Sequence, residues 1–333
     1  MFPHFYRWFG TQARSYIDDR ERSSHFRDHR FRNAKQMTTN LWSFLKMRRN
    51  TPYAVWPDWV EADPGPAPPE RVADTEIRAT LINHSTVLLQ TGGYNIITDP
   101  IYSYRASPFS FLGPHRVRNP GIRFEDLPPI DAILISHDHY DHLDLPTVSR
   151  LLHRDRPKVF LGLGVGRRLK SMDRVTELDW WERVEAGRDF KVSFVPVQHF
   201  SGRTLTDRLS TLWGGFVLEI AGRKIYFAGD TGYASHFAQT YERFGAMDLS
   251  LLPIGAYSPR SFMGFVHIDP REAVQAHLDL RSRKSLAIHY GTFQQTAEPI
   301  DEPIELLTKE KELAGLREED FAVTEFGQPL TIR

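Results

Sequence analysis

ILISHDHYDHLD, residues 133–144, sets three histidines and two aspartates (His137, Asp138, His139, Asp141, His142) directly after an apolar run. Ionisable groups are normally diluted along a solvated face. Their concentration at the end of a strand-like segment, DAILIS, reads either as a histidine-rich loop or as the floor of a metal site. The local spacing favours the floor. His137 and His139 are two apart and point to one side in extended backbone. Asp141 and His142 follow after one residue, so a turn or helix start carries them to a neighbouring metal. No HExxH occurs, which argues against a helix-borne metalloprotease site.

Working outward, the same arrangement recurs. His199 follows KVSFVPVQ, Asp230 follows KIYFAG, and His289 ends LAIH. Four strands thus bring a His or an Asp near their C-terminal ends, where α/β architectures gather ligand-binding loops. Imidazole and carboxylate suit divalent Zn, Fe, Mn, Co or Ni. Two protein-built centres need about six to eight donors, one carboxylate being able to bridge them. His137, His139, Asp141, His142, His199, Asp230 and His289 meet that demand. The scattered histidines, such as His115, His153 and His236, read as surface or satisfied residues.

Composition narrows the alternatives. The 333 residues carry 42 Lys plus Arg against 42 Asp plus Glu, so overall charge makes no case for nucleic acid. With no cysteine, disulfides, thiolate ligands, iron–sulfur clusters and cysteine nucleophiles are excluded. A reducing, cytoplasmic setting is the expectation. No apolar run of about 18 residues predicts a membrane span, and MFPHFYRWFGTQARSYIDD lacks the order of a signal peptide. That aromatic, basic start is suited to lying against a surface.

Residues 1–70 read as an arm and extended lead-in packed on the main body. They comprise a charged tract with a helical candidate, TTNLWSFLKMRR, then YAVWPDWVEADPGPAPPE, whose prolines preclude regular structure. Residues 71–333 read as the main domain. IRATLIN, TVLLQ and YNIIT form a meander turned at TGG, and further strands alternate with helical candidates DLPTVSRLLHRD, VGRRLKSM, YASHFAQTYERFG and DPREAVQAHLDL. In the last, Asp269, Pro270 and Glu272 make a capping signature. The class is α/β, or α+β in some schemes, with layered packing.

SHDHYDHLD resembles the HxHxDH signature of the metallo-β-lactamase superfamily, and His199, Asp230 and His289 follow in that family's order. The chain is similar, over residues 45–325, to the branch of zinc phosphodiesterases that hydrolyse N-acylphosphatidylethanolamine by a phospholipase D reaction. The tracts that carry this are LINHSTVLLQTGGYNIITDPIYSYRASPFSFLGPHR and PIGAYSPRSFMGFVHIDPREAVQAH, with the aromatic, proline-rich lead-in. The resemblance implies a four-layer αββα sandwich with the site at the rim between two sheets. It implies two divalent ions, zinc above all: one held by His137, His139 and His199, the other by Asp141, His142 and His289, with Asp230 bridging. His267 matches a histidine near the substrate phosphate, to bind it or to protonate the leaving oxygen. His84 and Asp99 fall in matching tracts, as groups that line the site or orient its ligands. Eukaryotic members of the branch are dimers with a membrane-facing entrance, so a homodimer and peripheral membrane contact are expected.

The donors themselves do not select a substrate. Tyr257, Arg260, Phe262 and Phe265, together with the aromatic segment 102–116, suit a groove for an amphiphile with an anionic head. A phospholipid or another small phosphodiester is therefore the expected partner. Two alternatives stay open: a hydrolase of a soluble sugar-phosphate lactone or phosphodiester, and a non-catalytic, metal-stabilised binding module.

Overall fold

The computed structural model describes residues 20–33, 46–47, 49–73, 75–204 and 206–333. The aromatic start lies outside these residues, and the helix expected over TTNLWSFLKMRR falls almost entirely outside them. A two-strand ribbon, β1 (Phe26–Arg27) and β2 (Arg30–Phe31), precedes the lead-in. The lead-in is held down by backbone hydrogen bonds: Val60 N donates to Val117 O (2.6 Å) and Gly65 N to Gly121 O (2.7 Å).

Two seven-stranded sheets follow, on one plan. In the first, β3 (Ile77–Asn83), β4 (Thr86–Thr91) and β5 (Tyr94–Thr98) run as an antiparallel meander. Gly92 and Gly93 turn β4 into β5 with φ of 56° and 75°, a conformation suited to glycine. The sheet continues in parallel through β6 (Ala132–Ile135), β7 (Lys158–Gly162) and β8 (Val175–Leu178). Between β6 and β7 runs helix α1 (Leu145–Arg154). In the second sheet, β9 (Arg183–Gly187), β10 (Phe190–Val195), β11 (Gly215–Ile220) and β12 (Arg223–Phe227) are antiparallel. After helix α2 (His236–Phe244) comes β13 (Leu249–Pro253), parallel to β12. Helices α3 (Arg260–Met263) and α4 (Pro270–Asp279) lead to β14 (Ser285–Ile288), and α5 (Glu302–Leu313) to β15 (Phe321–Ala322), both strands extending the parallel run. The chain then returns to the first sheet, where β16 (Pro329–Ile332) pairs with β3.

Alternation along β6 shows why the layers stack. Ala132 and Leu134 face the core between the sheets, with Phe194, Phe216 and Phe227 of the second sheet. Ile133 and Ile135 face outward onto Val148 and Leu151 of α1. A strand buried on both faces reads as a continuous apolar run, as AILI does. Phe237 of α2, Ala273 of α4 and Leu307 of α5 join the larger core as the outer layer on the second sheet. The result is the four-layer αββα sandwich. Asp269 caps α4 as its sequence predicts, accepting from Glu272 N at 2.9 Å. VGRRLKSM departs from the reading: only Gly166–Arg168 turns, as a 3₁₀ segment. Glu177 captures the Gly166 N–H (2.7 Å) and Arg168 is drawn away to Asp138, so no α-helix propagates. No helix among the described residues is long and apolar enough to cross a membrane.

Candidate metal centre

Polar residues gather at one rim, each delivered where a strand ends. Beyond β6, a turn in which Leu143 N donates to His139 O (2.8 Å) swings Asp141 and His142 toward the second sheet. His137 Nε2 lies 2.8 Å from His139 Nδ1, which lies 3.3 Å from His199 Nε2, so three imidazoles converge. Beside them, Asp141 Oδ2 is 3.2 Å from His142 Nε2 and 3.8 Å from His289 Nε2. Asp230 touches both groups. Its Oδ2 lies 3.2 Å from His142 Nε2 and 3.7 Å from His199 Nε2, and its Oδ1 lies 3.0 Å from His289 Nε2.

The three imidazoles are within hydrogen-bonding distance of one another, but the approaches around Asp230 are of another kind. His142 Nε2, Asp230 Oδ1 and both nitrogens of His289 are buried without a hydrogen-bond partner among the described residues. Buried polar atoms are nearly always paired. Donor atoms that meet at 3–4 Å with the wrong directionality for one another are suited to a shared cation.

Other groups aim the donors. Asp99 accepts from Ser136 N (2.7 Å) and pairs with His142 Nδ1 (2.7 Å), which leaves Nε2 facing the centre. Ser136 Oγ meets His137 Nδ1 at 2.9 Å, and Val266 O meets His199 Nδ1 at 2.9 Å. His84 Nε2 lies 2.9 Å from Asp141 Oδ2. His84, Asp99 and His289 have φ of 45°, 34° and 62°, the left-handed region that non-glycine residues enter at a cost, which clusters at functional sites.

Residues 94–290 match the Beta-lactamase superfamily domain. The chain belongs to the metallo-β-lactamase superfamily. It is 41% identical over 240 residues to an uncharacterized protein of Mycobacterium tuberculosis, a match covering 70% of this chain and 63% of that relative, less than two thirds of its length. It is 38% identical over 273 residues to the N-acyl-phosphatidylethanolamine-hydrolyzing phospholipase D 1 of Caenorhabditis elegans, covering 77% of this chain and 76% of the relative. The solved structure of Igni18, a metallo hydrolase from the archaeon Ignicoccus hospitalis, superimposes with a TM-score of 0.59 at 22% identity over 78% of this chain and 99% of that one, a likeness of fold.

The metallo-β-lactamase fold implies divalent metal ions, and the residues here fit them. His137, His139 and His199 form one group of candidate ligands, His84, Asp141, His142 and His289 another. Electrostatics agree with a site built for positive charge. Burial raises the Asp230 carboxyl, but His142, His289 and His267 outweigh it and hold the group well below the usual carboxylate range. Burial likewise lowers His142, yet Asp230 and Asp141 keep it well above the usual imidazole value. His137 and His199 are driven well below theirs, chiefly by burial, which leaves them neutral as ligands must be.

His267 stands at the edge of this superfamily site. It is buried, with Nδ1 3.9 Å from Asp230 Oδ2 and without a hydrogen-bond partner. Burial, opposed by Asp230, takes it down to about 4. The expected groove residues are placed differently from one another. The Tyr257 hydroxyl donates to Glu302 Oε1 (2.6 Å), and Arg260 is ion-paired with Asp269 (3.1 Å) and Glu272 (2.6 Å), so both polar ends are committed within the protein. Phe262 and Phe265 are half-buried. A cavity of about 530 Å³ is lined by Tyr104, Arg105, Phe109, Tyr140, Leu145 and Arg203. Sequence reasoning missed Gln295, whose Nε2 donates to Asp141 Oδ2 at 2.7 Å. Nothing in GTFQQTAEP marks it. Ser136 was also missed, although its place before His137 could have suggested it.

Proposed function

We propose that the chain is a binuclear, zinc-dependent phosphodiesterase that cleaves a phospholipid of the N-acylphosphatidylethanolamine type by a phospholipase D reaction. The observation that carries the hydrolytic part is Asp230, a buried carboxylate within 3–4 Å of donors from both groups. The lipid part is supported by the name of the Caenorhabditis elegans relative.

His137, His139 and His199 would hold one ion and Asp141, His142 and His289 the other, with Asp230 between them. When bound, such a pair makes water nucleophilic at neutral pH and offsets the negative charge of a phosphodiester. The protein supplies orientation: Asp99 fixes the tautomer of His142, and His84 with Gln295 fixes the Asp141 carboxylate. Oxygen from water bonds to phosphorus as the bond to the ethanolamine oxygen breaks. That oxygen takes up a proton from water, while His267, kept neutral at pH 7 because burial takes it down to about 4, would bind the phosphate. Tyr104, Phe109, Phe111 and Leu112 expose their side chains on one loop, Phe111 at 77%. They give an amphiphilic substrate, or the membrane holding it, an apolar surface to meet.

Metal analysis of protein purified without chelator, with a panel of phospholipids, soluble phosphodiesters and lactones, tests the proposal. Two equivalents of zinc and release of phosphatidic acid are expected. Hydrolysis confined to water-soluble esters would replace the lipid by a soluble substrate. Two bound ions with no hydrolysis of any class would leave a binding module.

A further inference from the structure

Asp138 lies inside the HxHxDH stretch but belongs to neither group of donors. Its position follows from the spacing: two histidines that face one side in extended backbone turn the residue between them to the other. There the Asp138 carboxylate is fully buried. Oδ1 accepts from Gly202 N at 2.8 Å, and Oδ2 accepts from Arg168 Nε at 3.1 Å and Nη2 at 2.9 Å. Gly202 belongs to the loop that leaves His199, and its φ of 150° is one that glycine takes readily.

The same loop is tied down twice more. Arg168 also binds Asp207, whose Oδ1 accepts from Arg203 N (2.9 Å) and Thr204 N (2.8 Å). Arg203 returns to the metal motif, donating to Asp138 O (2.9 Å) and Leu143 O (2.8 Å) and covering the Tyr140 ring at 3.8 Å. The loop with His137 and His139 comes from the first sheet, and the loop after His199 from the second. Asp138 is thus a charged link across the gap that the three imidazoles must close.

We infer that Asp138, paired with Arg168, is a positioning residue that holds these two loops in register and so sets the three-imidazole half of the centre. The inference rests on the binuclear reading above. A centre built from two sheets requires their relative placement to be fixed within a fraction of an ångström, and partners behind the ligands supply that restraint.

The test is titration of the full-length, metal-free chain with Co²⁺, followed by visible absorption and chelator competition. It uses Asp138→Asn, Arg168→Gln and the double variant, with circular dichroism to confirm folding. One of the two binding events should weaken about 10- to 100-fold, its absorption bands should change, and the other event should be unaffected. The double variant should be no worse than the worse single one, because both changes break one link. Arg168→Gln, whose side chain is partly solvent-exposed, keeps the test valid if Asp138→Asn does not fold. Two unchanged events in folded variants, or parallel weakening of both, would overturn the inference. If the wild-type chain takes up fewer than two Co²⁺, it is the binuclear reading that fails.

Discussion

In the first sheet most candidate metal donors lean on a polar neighbour, whereas in the second they lean on the backbone or on one another. His142 rests on Asp99, His137 on Ser136, and Asp141 on His84 and Gln295. Across the gap, His199 leans on the Val266 carbonyl through Nδ1 and on His139 through Nε2. Among the described residues, neither nitrogen of His289, nor Oδ1 of Asp230, has a hydrogen-bond partner. His289 is instead fixed through its main chain, with N donating to His84 O (2.8 Å) and φ at 62°, while its ring lies 3.9 Å from that of His84. The two sheets share one strand plan, so fold does not account for the difference. The first half is orientated by side chains that can be mutated singly; the second half depends on backbone geometry and on the cation itself.

Asp230→Ala breaks the comparison most severely, because Asp230 is the donor within 3–4 Å of histidines in both groups. Hydrolysis should fall on the order of 10³-fold, because loss of the shared carboxylate displaces the cations that would offset transition-state charge. Metal content should drop below two equivalents per chain. Retained activity with two bound ions would remove Asp230 as the bridge.

Asp99→Asn should make the first half behave like the second. Asparagine tolerates the left-handed backbone found here, φ 34°, and its carbonyl still accepts from Ser136 N. Its amide, however, offers a donor to His142 Nδ1. The imidazole then carries its proton on Nε2, the nitrogen that faces the centre, a tautomer unable to ligate. Affinity for the ion that Asp141, His142 and His289 would hold should fall about 10- to 100-fold, with little change at the three-imidazole group. Chelator competition measures both, and equal loss at the two would show that Asp99 acts on the fold as a whole.

The same contrast explains what the sequence made legible. The first-half donors lie within six residues and announce themselves, while His199, Asp230 and His289 had to be found by their places after apolar strands. The layered architecture was readable because AILI and its counterparts are apolar on both faces. The supporting contacts were not readable. Gln295 reaches Asp141 from 154 positions away, and Arg168 reaches Asp138 across 30; neither has a local pattern, since only the folded topology creates the proximity. Arg168 illustrates the converse too. Helical periodicity in VGRRLKSM was real, but tertiary partners for Gly166 and Arg168 won over local propensity. Arg260, expected as a cation for a substrate head, has Glu272 of α4 as an ion-pair partner that its own stretch does not announce.

The smallest effect concerns acid. His236 opens α2 soon after Asp230, buried against Phe237, with Nε2 3.2 Å from Thr231 Oγ1. Burial holds it down to about 3, against 6.5 for the free side chain. His142, on the first half, moves the opposite way because Asp230 and Asp141 face it. Since the unfolded chain binds the His236 proton more readily than the folded one, its stabilising effect is complete above about pH 6.5. It is lost as pH falls toward 3, at about 1.4 kcal/mol per unit, or roughly 2 kcal/mol by pH 5. His84 is also held down to about 3 by burial and by His289, but it is common to both proteins in the comparison with His236→Gln. Thermal midpoints of wild type and variant, measured from pH 7 to 5, should therefore converge as the solution is acidified, the variant having the shallower slope. Parallel slopes would mean that His236 does not titrate with unfolding, and that the acid sensitivity of the second half lies with its metal donors.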